Sequence, residues 1–127
     1  MTTQVRAILP ALLLAAFACS RPAADPFPES LAGGWKRVSE APETAVPETL
    51  RALGCKQARR FEYEGAGRVA AVAYQMTSEA GAFEALQRWR AEPGAVPFHK
   101  KEYLVVVRGA PDPALMEFAG ALERAMK

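Results

Sequence analysis

The residues of this chain best suited to chemistry are two cysteines and one histidine, Cys19, Cys55 and His99. A zinc site needs several Cys, His or carboxylate ligands at short spacing, and a nucleophilic triad needs a base and an orienting group. The two cysteines lie far apart in the chain, and the histidine lies beside two lysines, a setting typical of a solvated side chain. The sequence therefore predicts no metal site, no bound cofactor and no catalytic residue.

The charged residues form no recognisable reactive set either. Among the 14 carboxylates, Glu62 and Glu64 share the polar face of one predicted strand, which is typical of a solvated surface. Arg88 and Arg90, with other basic residues, could form a patch for phosphates or anionic sugars, but the basic residues alternate with glutamates. No nucleophile, base and orienting group can be named together. The sequence therefore predicts a protein that is not an enzyme.

The overall charge argues against a strongly electrostatic partner. The chain has 16 basic and 14 acidic residues, for a formal net charge of +2. Proteins that bind nucleic acid through its phosphates concentrate positive charge on one face. With 127 residues, of which 50% are hydrophobic, the chain has room for one globular domain. We therefore expect a single domain that does not bind nucleic acid.

The N-terminal residues have the three-part organisation of a secretory signal peptide. A short polar start that contains Arg6 precedes an apolar stretch, AILPALLLAAFA, at residues 7–18. This stretch is shorter than the roughly 20 apolar residues that a transmembrane helix needs. We therefore predict a signal peptide at residues 1–18, with a buried N-terminal helix at residues 7–18 as the alternative.

The position of Cys19 points to a second feature of this leader. The window Ala16-Phe17-Ala18-Cys19 resembles the bacterial lipoprotein precursor pattern, in which a small residue precedes a cysteine that becomes the lipidated N-terminus. The resemblance implies lipid attachment at Cys19, and Ser20 after it implies sorting to the periplasmic face of the outer membrane. Two or more acyl chains would anchor the protein stably, since each buried methylene contributes roughly 0.8 kcal/mol.

A different fate of Cys19 stays open. The three residues before it also satisfy the ordinary A-x-A cleavage rule of secreted proteins. The mature domain would then be soluble, and Cys19 could pair with Cys55 in a disulfide in an oxidising envelope. With Cys19 lipidated, Cys55 has no partner and is expected to be a small buried hydrophobic residue.

A proline-rich segment follows the cysteine. The stretch SRPAADPFPES, at residues 20–30, has three prolines and no apolar periodicity, which is typical of an extended spacer. Together with Cys19 it forms a predicted tether at residues 19–30, some 30 Å long at about 3.1 Å per residue. The folded domain is predicted at residues 31–127.

Hydrophobic periodicity in this domain predicts both strands and helices. Alternating apolar residues in RRFEYEG and RVAAVAYQM, with glycines between them, predict a β-hairpin. The segment FHKKEYLVVVRG predicts a second hairpin or a strand, and its almost continuous apolar run at residues 103–107 predicts a strand buried on both faces. An edge strand is expected at residues 31–38. Helices are predicted with Ser78 and Asp112 as their N-caps, and a short helix is predicted with Pro47 as its first residue. The last helix has a predicted apolar stripe, which consists of Leu115, Phe118, Ala119, Leu122 and Met126.

This order of elements predicts an α+β fold, in which an antiparallel sheet of four or five strands has two main helices and one short helix packed on one face. Aromatic residues are expected to fill the core; they are Trp35, Phe61, Tyr63, Tyr74, Phe83 and Trp89. The core stripe of the second helix is predicted to consist of Ala82, Phe83, Leu86 and Trp89. Exposure of Trp35 or Trp89 beside a groove would instead indicate a ligand site.

Several of these features resemble an uncharacterised family of secreted bacterial domains. The shared pieces are Gly34-Trp35, Leu53-Gly54, YQMTSEAGAF at residues 74–83 and YLVVV at residues 103–107. The resemblance implies secretion and this kind of fold. It implies no site residue, because members of the family have no assigned activity.

These features lead to one functional prediction with one alternative. The chain is predicted to be a membrane-tethered cell-envelope lipoprotein that acts as a binding or interaction module. Its expected partners are the membrane, through lipid on Cys19, and an envelope protein or a small ligand. The alternative is a soluble secreted or periplasmic domain without a lipid anchor, which binds a small ligand in the cleft between sheet and helices.

Overall fold

In the computed structural model, which describes residues 26–126, an antiparallel sheet of six strands carries three helices. The strands are β1 (Ser30–Leu31), β2 (Trp35–Pro42), β3 (Gln57–Glu64), β4 (Arg68–Gln75), β5 (Ala95–Lys100) and β6 (Tyr103–Arg108). The helices are α1 (Glu48–Ala52), α2 (Glu79–Arg88) and α3 (Asp112–Ala125). The strands lie in the order β1-β2-β3-β4-β6-β5, and the sheet curls into a half-barrel. The predicted signal peptide, Cys19 and the first part of the predicted tether lie outside the described residues.

The prediction of four or five strands is wrong, because the predicted edge strand is two strands and the segment predicted as a hairpin or a strand forms a hairpin. The segment predicted as one edge strand, residues 31–38, contains a turn at Gly33 and Gly34, whose φ angles are +93° and +83°. Glycine adopts such angles at no steric cost, and the turn separates β1 from β2, which pair antiparallel. A second turn, at Lys101 with φ +54°, separates β5 from β6. The sheet therefore has six strands, and the fold is still of the α+β kind.

The prediction that all helices pack on one face of the sheet is also wrong. Alternate residues of β6 belong to two separate cores: Val105 and Val107 pack with α3, whereas Leu104 and Val106 pack with α1 and α2. Both faces of the central strands are apolar, so each face needs a cover. The strand predicted at residues 103–107 is indeed buried on both faces, and the structure has a helical layer on either side of it.

The predicted β-hairpin is confirmed as β3 and β4. Phe61 and Tyr63 are fully buried on the α3 side of the sheet. Arg60 and Glu62, which alternate with them, lie on the opposite face and are partly exposed. Residues 65–67 form the turn that joins the two strands, as the glycines predict.

Trp35 is buried under this turn, with only 3% of its surface exposed. Its ring lies 5.1 Å from the ring of Phe118 on α3, at an interplanar angle of 73°. Gly65 lies so close that an added Cβ would be 2.8 Å from the indole. The first long strand is thereby fixed to both the hairpin turn and α3, and Trp35 is excluded as an exposed ligand-binding tryptophan.

Helix α2 begins where the sequence predicts, and its predicted core stripe is wrong only at Phe83. The side chain of Ser78 accepts a hydrogen bond from the Gly81 amide at 3.0 Å, so the predicted N-cap is confirmed. The buried residues are Ala82 and Ala85, whereas Phe83 is 47% exposed. Ala82 was part of the predicted stripe, and Leu86 and Trp89 also pack on this core. Ala85 takes the place of Phe83, since small side chains at the contact let a helix lie closer to its neighbour.

Helix α3 follows its predicted pattern closely. Its apolar stripe is buried, and that stripe consists of Leu115, Phe118, Ala119 and Leu122, with Met126 after the helix. Asp112 is the first helical residue rather than the cap, a position held by Pro111. Arg124 lies in the last turn, where the helix dipole favours a cation.

The end of the predicted tether packs on the domain. Phe27 is 3% exposed, and its ring lies 4.6 Å from that of Phe61. The Tyr63 hydroxyl donates a hydrogen bond to the Pro28 carbonyl at 2.7 Å, and an Arg37 guanidinium nitrogen donates one to the Phe27 carbonyl at 3.1 Å. The folded unit therefore includes residues from Phe27 onward.

Candidate ligand groove

Helices α1 and α2 lie on the same face of the sheet and leave an open groove between them, with a volume of about 220 Å³. Helix α1 is only five residues long and buries a single residue, Leu50, so it does not close against α2. We call this the α1–α2 groove; its lining residues are Pro47, Thr49, Leu50, Ala85, Arg88, Trp89, Arg90 and Glu92. Its walls are therefore largely apolar, with charged groups at one end of α2 and in the segment that follows.

Trp89 occupies this groove because α2 ends just before it. Its backbone is extended, with φ −70° and ψ +131°, and its amide still donates to the Leu86 carbonyl at 3.2 Å. The half-buried side chain packs on Tyr74 of β4, with ring centroids 6.1 Å apart and planes tilted by 41°. The sequence predicted a ligand site if a tryptophan were exposed beside a groove; Trp89 lines a groove but is half-buried, so only part of that condition is met.

The indole of Trp89 has an unsatisfied donor. Among the residues 26–126, its Nε1 is the only buried side-chain nitrogen or oxygen that has no hydrogen-bond partner. A buried donor without an acceptor costs roughly 1–3 kcal/mol. Such groups are uncommon in folded proteins and need an explanation, of which one is a ligand that supplies the acceptor.

The charges around the α1–α2 groove are mostly compensated. Arg88 pairs with Glu84 on the same helix at 2.9 Å, and Glu92 pairs with Arg108 of β6. Arg90 is exposed and forms no ion pair with any carboxylate in the described part of the chain. The groove therefore has one uncompensated positive charge, close in sequence to the unsatisfied indole.

The structure places Cys55 near this region but in an unreactive state. It is half-buried against the α1 and α2 core and is a free cysteine. Burial raises the pKa of the Cys55 thiol, although a backbone hydrogen bond at Gln57 and the charge of Arg51 oppose this rise. Because the thiolate is the nucleophilic form, the neutral thiol is a packing group here.

A second concavity lies on the half of the same sheet face that no helix covers. Its arginines are already engaged: Arg68 binds Glu62 at 3.0 Å and Glu64 at 2.8 Å, and Arg60 lies 3.5 Å from Glu62. Arg68 of β4 thus pairs with two glutamates of the neighbouring strand β3. Exposed pairs of this kind contribute little to stability because solvent screens them, and this surface is a solvated ion-pair network.

The other residues singled out from the sequence do not join a site. His99 is half-buried on β5, with its ring 5.4 Å from that of Phe83. Residues 26–126 contain no group of three or more His, Cys, Asp or Glu side chains placed to hold a metal ion. Within the same residues, no helix is both long and apolar enough to cross a membrane. Cys19 lies outside the described residues.

Comparison with known proteins identifies no relative. No family model matches the chain, and neither the curated proteins nor the solved structures contain a significant match. The resemblances to lipoprotein precursors and to secreted bacterial domains therefore stay predictions. The fold and the groove therefore define the class of protein: the described residues form an α+β domain in which Trp89 lines the α1–α2 groove.

Sequence reasoning named part of this site but did not assemble it. The sequence assigns Trp89 to the core, or to a ligand site if it is exposed, and it offers Arg88 and Arg90 as part of an anion-binding patch. Pro47 and Thr49 gave no functional signal. The adjacent residues Arg88, Trp89 and Arg90 at the end of a predicted helix could have indicated the site, because a helix end exposes side chains that a helix interior would pack.

Proposed function

We propose that this chain is an exported cell-envelope domain that binds a small ligand in the α1–α2 groove and is held at the membrane through lipid on Cys19. Binding and anchoring are separate parts of the proposal. The first is supported by geometry, and the second by the N-terminal sequence.

One observation carries the binding part. The α1–α2 groove contains a half-buried tryptophan whose indole donor has no partner, so a ligand would recover part of the free energy that the domain loses by leaving that donor unsatisfied. Ligand sites are concave, mostly apolar and equipped with a few polar groups that fix orientation. The groove is small by this standard, since pockets for drug-sized ligands occupy about 300–1,000 Å³.

The anchoring part is supported by the leader, by Cys19 and by the position of Phe27. Because Phe27 packs in the core, the free tether would extend only from Cys19 to that residue. This distance is at most about 25 Å at roughly 3.1 Å per residue. A lipid on Cys19 would therefore hold the domain within a short reach of the bilayer surface.

Binding can be tested with a blocking variant and a matched control. Thr49 is exposed and lines the groove, so Thr49→Phe fills the groove without disturbing the core. Thr44→Phe makes the same change at an exposed position outside the groove.

A panel of one-ring and short-chain probes, both neutral and anionic, is titrated into ¹⁵N-labelled protein. We expect saturable shifts around Trp89 in wild type and Thr44→Phe but not in Thr49→Phe. Absence of such shifts with every probe at millimolar concentration contradicts the proposal.

Anchoring is tested by detergent phase partitioning and by mass spectrometry of the mature N-terminus. The wild-type protein is expected in the detergent phase with acyl chains on Cys19, and Cys19→Ala is expected to remain unprocessed by the lipoprotein route. A wild-type protein that stays in the aqueous phase with an unmodified first residue supports the alternative, a soluble exported binding domain. The Ala16-Phe17-Ala18 cleavage signal is the feature that favours this second candidate.

A further inference from the structure

We infer that the ligand of the α1–α2 groove is a small monocarboxylate with an apolar body, whose carboxylate binds Arg90 and the indole N–H of Trp89. This inference rests on the proposed binding function and specifies its ligand class. The apolar walls, the unpaired charge and the unsatisfied donor each determine one property of the ligand.

The apolar walls determine the body of the ligand. Pro47, Leu50, Ala85 and the Trp89 ring line the groove, so most of its wall is apolar. A volume of about 220 Å³ exceeds the roughly 150 Å³ of dry cavity that can hold benzene. One aromatic ring, or a short alkyl chain, with a small polar head group therefore fits the space.

Arg90 determines the charge of the ligand. It is the one lining charge without a partner among the described residues, since Arg88 and Glu92 are each paired with an oppositely charged side chain. A guanidinium binds a planar carboxylate well because its N–H groups match the two oxygens. A single uncompensated charge suits a monoanion better than a phosphate dianion.

The unsatisfied indole N–H of Trp89 requires a hydrogen-bond acceptor on the ligand. A carboxylate oxygen can accept from Nε1 while the other oxygen accepts from Arg90, so that one head group satisfies both residues. Nε1 is closed to solvent in this structure, and the ligand must displace the indole edge or the segment beside it to reach the proton. The indole proton therefore reports binding directly.

The test uses phenylacetate and its neutral isostere phenylacetamide as probes of the full domain. The Trp89 indole N–H resonance is assigned by its loss in Trp89→Phe and is followed during each titration. We expect phenylacetate to move this resonance downfield in a saturable way and to bind at least tenfold more tightly than phenylacetamide, since hydrogen bonds to a charged acceptor are stronger than those to a neutral one.

Two charge-matched variants separate a specific role from a general electrostatic one. Arg90→Gln is expected to weaken phenylacetate binding about tenfold and to leave phenylacetamide binding unchanged. Arg124→Gln, which removes the same charge from α3 on the opposite face of the sheet, is expected to change neither. Equal binding of the two probes, or an Arg90→Gln variant that binds phenylacetate as well as wild type does, overturns the inference but leaves the groove a binding site. If neither these probes nor any other small molecule in the panel binds, the proposed function itself fails.

Discussion

The indole ring of Trp89 and the phenol ring of Tyr74 are 6.1 Å apart between centroids and tilted by 41°. This contact joins the residue that ends α2 to the central strand β4. The wall of the α1–α2 groove is thereby fixed to the sheet, while α1 opposite it is held mainly by Leu50. Substitutions at Trp89 therefore test how much this contact stabilises the domain.

Substitutions at Trp89 should separate ring packing from the unsatisfied donor. Trp89→Ala removes the contact with Tyr74 and should lower the free energy of unfolding by about 3 kcal/mol. Trp89→Phe keeps an aromatic ring and removes the unsatisfied N–H, so its cost should stay below about 1 kcal/mol. Urea denaturation followed by circular dichroism measures both. If both variants lose the same free energy of unfolding, the Trp89 indole N–H has a hydrogen-bond partner in solution.

The close approach of Gly65 to Trp35 should make the hairpin turn intolerant of a side chain. A Cβ at Gly65 would lie 2.8 Å from the buried indole, and we expect Gly65→Ala to cost about 2 kcal/mol through overpacking. Gly67→Ala is the matched control in the same turn, since its nearest neighbour would be the Ala110 Cβ at 3.7 Å, an ordinary contact. Its cost should stay within about 0.5 kcal/mol. Thermal or urea unfolding of the pair gives the comparison, which fails if Gly67→Ala is the more destabilised.

The hydroxyl of Tyr63 should determine how firmly the N-terminal segment is held. Tyr63→Phe removes its 2.7 Å hydrogen bond to the Pro28 carbonyl, for an expected loss of about 1 kcal/mol. The Arg37 amide, which donates to the Glu29 carbonyl at 2.8 Å, should exchange its hydrogen faster in this variant. The Cys55 amide, bonded to the Leu50 carbonyl on the other face, provides the control, and equal acceleration at both amides would contradict a local effect.

Alkaline pH should destabilise the domain through two groups. Burial raises the pKa of Tyr74, with a further rise from Glu43, and burial also raises the pKa of Cys55. For groups that ionise by losing a proton, a raised pKa means that the folded state holds the proton more tightly than the unfolded state does. Stability is therefore intact below the unfolded pKa values, near 8.5 for cysteine and 10 for tyrosine, and is lost as pH rises above them.

Urea midpoints between pH 7 and pH 11 test this dependence. Tyr74→Phe and Cys55→Ala should each flatten the alkaline decline, whatever their effect on stability at pH 7. A decline that is unchanged in both variants would assign it to other groups. The same thiol should react slowly with alkylating reagents at pH 7 and faster in urea, because only the thiolate reacts.

The periodicity of the sequence predicted the central strands and α3 but not the layering. The alternation around Phe61 and Tyr63 identified one buried face of β3, and the stripe of α3 was read correctly. The uninterrupted run at residues 103–107 predicted a strand buried on both faces, which requires cover on each side. A strand buried on both faces is incompatible with helices on one face only. In the structure, α3 covers one face and α1 and α2 cover the other.

The extent of β2 was missed for a different reason. Residues 39–42 of β2 are exposed at an edge of the sheet and have no large apolar side chain, so they resemble a loop when read alone. Their pairing with β3 is made by backbone groups and by ion pairs such as Arg59 with Glu40 at 2.5 Å. Backbone pairing leaves no hydrophobic pattern, and only the neighbouring strand shows that the segment is extended.

The sequence by itself determined which segments alternate, where α2 and α3 begin, and that Cys19 follows an apolar leader, because these properties depend on neighbours in the chain. Only the tertiary structure decided which face of α2 is buried, since Phe83 and Ala85 are equally compatible with a helical stripe and the approach to the sheet selects the alanine. It also decided that Trp89 borders a groove, because the gap between α1 and α2 depends on distances between elements that no local pattern encodes.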